Sequence, residues 1–116
     1  MTIKRFETGP RMSQAVAHNG VVYLAGQVAQ AAKGASVKEQ TTEIVKKIDA
    51  LLAAAGTDKS KLLSATIWLT DMSRFSEMNS VWDAWVSPGN TPARACVESK
   101  LAAPEYAVEI GVICAI

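Results

Sequence analysis

Two charged side chains sit where strand-like patterning leaves little room for charge: Arg94 in "TPARACVESKL" and Glu109 in "YAVEIGVICA". A charge drawn out of water has to be paired or used. The planar guanidinium fork of Arg94 can take a carboxylate through two parallel hydrogen bonds, which makes a half-buried arginine a receptor for a small carboxylic acid. A carboxylate such as Glu109, its pKa raised by burial, can orient and deprotonate a water or shuttle a proton. The plain alternative is that the two pair with each other or with surface groups. Cys96 is a weak candidate nucleophile, because no histidine base accompanies it and Arg94 would be its only activator. The lone His18 belongs to a tight turn and has no relay partner, and Glu98 and Lys100, near the end of the Arg94 strand, read as solvated. Cys96 and Cys114 read as small core thiols kept reduced, too far apart in the chain for a metal knuckle.

Elements must position these groups. From Ser36 to Ala55, Val37, Ile44, Ile48, Leu51, Leu52 and Ala55 recur at helical spacing, with Ser36 and Glu39 as a capping box and Gly56 as the stop. A second helix is expected from Ser73 to Val86, with Phe75, Met78, Trp82 and Trp85 on one side. Asp71 or Ser73 would cap it and Pro88-Gly89 end it, and the aromatic stripe reads as core packing. Strands are read in "TIKRFE", "SQAVAHNG", "VVYLAGQV", "LLSATIWLT", "ARACVESKL" and "AVEIGVICA", with Asn19-Gly20 closing a hairpin. Three strands, a helix, a strand, a helix and two strands suit an α+β sandwich, a mixed sheet with two helices packed on one face.

Period-two alternation then divides the strands into faces. Ala65, Ile67 and Leu69 oppose Thr66, Trp68 and Thr70, and Val108, Ile110, Val112 and Cys114 oppose Glu109, Gly111, Ile113 and Ala115. The apolar face is expected beneath the helices. The mixed face, carrying both Arg94 and Glu109, is expected to point into a subunit interface around a pocket.

The whole chain limits the function classes. Its 116 residues suit a single domain over 1–116. A domain this small buries only about two thirds of its unfolded surface, which favours self-association. The formal net charge of +1 with scattered basic residues leaves no footprint for a nucleic-acid backbone. With no apolar run near the roughly 20 residues of a membrane span and no signal-like start, a soluble cytoplasmic protein is expected, without a membrane partner.

"SQAVAHNGVVYLAGQV", "LLSATIWLTDMSRFSEMNSVWDAW", "NTPARACVESKL" and "YAVEIGVICA" follow one another in an order and at distances that resemble the Rid superfamily, the reactive intermediate deaminases of RidA/YjgF type. The likeness runs from about Pro10 to Ala115, most specifically through the Pro-Ala-Arg and Val-Glu-Ile strands, and looks like a small bacterial branch. It implies a chorismate mutase-like fold, trimeric around a central sheet barrel with the helices outside. It also implies hydrolysis of enamines and imines such as 2-aminoacrylate to 2-keto acids and ammonia, in clefts between subunits, with no metal or organic cofactor. By the same resemblance Arg94 would grip the substrate carboxylate and Glu109 would hold the attacking water. Cys96 would border the pocket, and Gly26 would bring its backbone close to the ligand.

The chain departs from the family pattern at two places. Gly9-Pro10 is followed by Arg11-Met12 where a tyrosine is common, and Ala25 precedes Gly26 where a serine is common. Arg11 and Met12 are therefore candidate substrate-binding residues, suited to a substrate of different size or with a further acidic group. The alternative function is a non-catalytic oligomer that binds a small carboxylate or a client protein in the same cleft.

Overall fold

The computed structural model describes residues 2–116. Six strands, β1 (Lys4–Thr8), β2 (Ser13–His18), β3 (Val21–Leu24), β4 (Leu62–Leu69), β5 (Ala93–Glu98) and β6 (Val108–Ala115), form one sheet in the order β1-β2-β3-β6-β4-β5. All neighbours are antiparallel except β4 and β5. Two α-helices, α1 (Val37–Ala54) and α2 (Phe75–Trp85), supply the crossovers from β3 to β4 and from β4 to β5. The mixed sheet and its two helices are the expected α+β architecture.

Local chemistry explains most boundaries. Asn19 and Gly20 take φ values of 53° and 76°, so the two-residue hairpin between β2 and β3 forms without strain. The Ser36 hydroxyl accepts from the Glu39 amide at 3.1 Å to start α1, and Gly56 at φ 84° ends it. Asp71, rather than Ser73, caps the second helical segment, accepting from the Ser73 amide at 2.9 Å. A 3-10 turn, Met72–Arg74, precedes α2, so α2 itself is shorter than the expected span. The expected strand through Val28 stops at Leu24: pairing with β6 resumes only at a single bridge from Gln27 to Ile110, one residue out of register with the Tyr23–Ile113 pair.

One face of the sheet is dry. Val108, Ile110, Val112 and Cys114 of β6 and Ala65, Ile67 and Leu69 of β4 are buried, and they join Ile44, Ile48 and Leu52 of α1 and Met78, Trp82 and Trp85 of α2 in one core. Trp82 and Trp85 meet at 5.3 Å between ring centroids, and the Trp85 indole N–H donates to Asp49 of α1 at 3.1 Å. The aromatic stripe is packing, as its spacing predicts. No described helix is long and apolar enough to cross a membrane.

Candidate active site

Arg94 lies on β5, the edge strand, opposite Ala65 of β4, with Cys96 opposite Ile67 and Glu98 opposite Leu69. Paired residues of neighbouring strands share a face, so all three are on the side of the helices. The guanidinium carbon stands 5.4 Å from the Trp82 ring centre and 5.7 Å from that of Phe75, and Nη1 donates to Asn79 Oδ1 at 2.7 Å. Residues 75, 79 and 82 lie along one face of α2, so a single helix turns the arginine and holds it. Cation–π attraction and one hydrogen bond fix the fork without consuming it. The only ion pair among the described residues is Arg74 with Glu77, so Arg94 is left without a carboxylate.

Glu109 lies on the opposite, open face, paired with Trp68 of β4. Burial alone pushes its carboxyl above the usual carboxylate range, with no hydrogen bond or cation opposing the shift. Gly26 makes room for it: a methyl group at that position would stand 2.8 Å from the Glu109 carboxyl carbon. Gly111 extends the gap, since a methyl there would meet Trp68 at 3.5 Å and the Gly26 backbone at 3.7 Å. Beside Glu109 the sheet therefore carries a cavity of about 190 Å³, lined among others by Gly26, Ser64, Thr66, Trp68 and Gly111.

A family model described as Endoribonuclease L-PSP matches residues 2–116. A RutC family protein of Haemophilus influenzae is 43% identical over 113 residues, covering 97% of each chain. The RutC family protein YoaB of Escherichia coli is 40% identical over 116 residues, the full length of both. The chain belongs to the Rid superfamily. Its fold is correspondingly close to that of a YjgF-family member from Neisseria meningitidis, with 48% identity, a TM-score of 0.95, and coverage of 99% of this chain and 95% of the other.

Within this Rid chain two expectations about the site need correction. Arg94 and Glu109 do not share the mixed face. Arg94 is opposite Ala65, itself opposite Val112, so Arg94 and Glu109 are on opposite sides of the sheet and three positions apart along it. The two cannot pair with each other, and one copy does not bring both onto one small ligand. Glu98 is not merely solvated: its carboxylate accepts from the Met72 amide at 3.0 Å and so fastens the segment that starts α2.

The remaining candidates divide. Gly26 and Glu109 come together. Cys96 accompanies Arg94 on the helix side, and burial raises its thiol pKa while the Arg94 charge pulls it back; a raised thiol is a poor nucleophile. Arg11 and Met12 are exposed in the turn between β1 and β2, which the Gly9 amide closes on the Met12 carbonyl at 2.8 Å, and neither lines the cavity beside Glu109. Among the described residues no group of three His, Cys, Asp or Glu side chains stands together to hold a metal ion. Sequence reasoning missed Asn79 and the second role of Phe75 and Trp82 as the bed of Arg94. Their spacing was the available signal, although core packing already accounted for the aromatic pair.

Proposed function

We propose that this Rid chain hydrolyses reactive enamines and imines, imino acids of the 2-aminoacrylate type, to 2-keto acids and ammonia in clefts between copies. The observation that carries this reading is Arg94, exposed and held in place by α2, yet free of any acid among the described residues. It is the receptor a substrate carboxylate requires. Because Glu109 faces the other way, Arg94 of one copy and Glu109 of a neighbouring copy make up one site. The open face favours such an assembly: Tyr23, 48% exposed, is paired with Ile113, and Val97, 44% exposed, with Trp68. Large apolar side chains exposed on a sheet face are commonly covered by a partner. A homotrimer with a central sheet barrel, as in the resemblance noted above, covers it three times over.

The chemistry asks for little. The enamine tautomerises to the imine, water adds to the imine carbon, and the carbinolamine collapses to a ketone as the C–N bond breaks. Glu109, as the carboxylate, orients the water, takes its proton as the oxygen adds and passes it to the imine nitrogen; it then moves the carbinolamine hydroxyl proton to the departing nitrogen, so ammonia leaves and the carboxylate is regenerated. A carboxyl with a raised pKa suits both halves of that exchange. Ribonucleolysis, the activity in the family model's description, finds less support, because the net charge is +1 and the sole histidine ends β2 at a hairpin turn.

The test generates imino acids in place with an amino-acid oxidase and traps survivors as semicarbazones. Wild type should accelerate their loss, and Arg94→Ala and Glu109→Ala should each lower kcat/KM by at least about a hundredfold, the scale of a lost charge-assisted contact plus a lost general base. Refolding the two inactive variants together should restore part of the activity, since some clefts then combine an intact Arg94 with an intact Glu109. Absence of any acceleration by folded wild type would move the reading to a carboxylate-binding oligomer.

A further inference from the structure

A second cavity, of about 300 Å³, opens between α1 and the β1–β2 edge of the sheet. Glu7 of β1, Gln14 of β2, Gln27 and Gln30 of the β3–α1 connection and Lys47 of α1 converge on it, with Leu51 beside them. It is separate from the Glu109 cavity: Gly26 lines one and Gln27, its neighbour in the chain, lines the other.

The polar groups here are arranged rather than scattered. Lys47 Nζ donates to the Val28 carbonyl at 2.7 Å and to Gln30 Oε1, which leaves one of its three hydrogens uncommitted. Gln27 Nε2 donates to Gln14 Oε1 at 3.0 Å and to the Ala25 carbonyl at 2.9 Å. The carbonyl ends of Gln14 and Gln30 are thus both engaged, and their amide NH2 ends have no partner among the described residues. Burial draws the Lys47 ammonium partly out of water and lowers its pKa, while Glu43 and Glu7 support its charge. Glu7 itself adopts φ 49°, a left-handed conformation at the last but one residue of β1, whereas the other described non-glycine case, Asn19, is explained by its hairpin. Such strain persists where the surroundings impose it and often marks a functional position.

The cavity thus offers in its lining three residues with donors that no described group takes up, one of them cationic, together with the Glu7 carboxylate. Its size fits a small metabolite. We propose that this cavity binds a free α-amino acid, its carboxylate received by Lys47 and the Gln14 and Gln30 amides and its ammonium group by Glu7. A zwitterion matches both charges of the wall, whereas a simple anion would meet Glu7 and a simple amine would meet Lys47. The inference does not depend on the deaminase reading.

Titration calorimetry with a panel of α-amino acids, and with propionate and ethylamine as the separated halves, tests it on wild type, Lys47→Met, Glu7→Gln and Arg94→Ala. At least one amino acid should bind saturably at millimolar concentration or below. Both Lys47→Met and Glu7→Gln should weaken it about tenfold or more, the loss expected of one charge-assisted hydrogen bond. Arg94→Ala should leave binding unchanged, and Glu7→Gln should leave imino-acid hydrolysis unchanged. Glu7→Gln replaces an exposed side chain by its isostere, so it decides the matter if Lys47→Met fails to fold. The proposal is overturned if no amino acid binds folded wild type, if Arg94→Ala abolishes the binding, or if propionate binds equally well and Glu7→Gln has no effect.

Discussion

Glu109 is a carboxylate placed where ionisation is disfavoured, and that leaves a mark on stability as well as on chemistry. Burial raises its pKa in the folded chain, so the native state holds this proton more firmly than the unfolded state does. Stability from this group is therefore present at low pH and is lost as pH rises through the folded pKa, above which the native state carries a poorly solvated charge. Glu109→Gln should accordingly melt higher than wild type at about pH 8, with the difference shrinking toward zero below about pH 4, where the unfolded carboxyl is protonated too. Thermal melts across that range, in which a variant no more stable than wild type at high pH would contradict the burial argument, are the check. The residue types were readable in advance: an arginine and a glutamate in apolar strands. What alternation could not say is which face each strand turns to the helices. In β5 the residues Ala93, Ala95 and Val97 look like the inward set, yet the register with β4 puts Arg94, Cys96 and Glu98 inward instead. An edge strand permits this, since the Arg94 guanidinium rests against the rings of α2 and the residue is still exposed.

The elements were easier to foresee where a single residue type carries the signal. Asn19-Gly20 demanded a hairpin, and Ser36 with Gly56 bounded α1 within one residue at each end. Ser36→Ala should lower stability by about 1 kcal/mol, the usual value of an N-cap, because its hydroxyl satisfies the Glu39 amide. A shift in urea midpoint at constant slope would verify this. The break after Leu24 was less accessible. "VVYLAGQV" alternates well enough for one long strand, and what it leaves out is tertiary: beyond the end of β3 the Glu109 side chain fills the space where residue 26 would carry a Cβ. A residue 83 positions away in the chain decides the local geometry, and no short window of sequence contains it.

As a whole the chain is a slab, 43 by 37 by 20 Å, one sheet with one layer of helices. The uncovered side is where the proposed assembly would form. Val97→Glu, on that side at the edge strand, should shift the sedimentation coefficient from oligomer toward monomer and reduce imino-acid hydrolysis together with it. An unchanged assembly in that variant would place the interface elsewhere. That the open face needs a cover could be argued from composition and alternation, but what covers it could not, because complementarity is a property of two surfaces.

The strand order has a consequence for how the chain is made. β6, sixth along the chain, stands in the middle of the sheet, hydrogen-bonded to β3 on one side and β4 on the other. A nascent chain leaving the ribosome therefore displays two unjoined half-sheets, β1-β2-β3 and β4-β5, each with a bare inner edge. Until residues 108–115 emerge, no strand pairing joins them, and only the packing of α1 on α2 does. Most of the native contacts between the halves must then form at once, a late zippering that leaves translation little scope to fold the domain piece by piece.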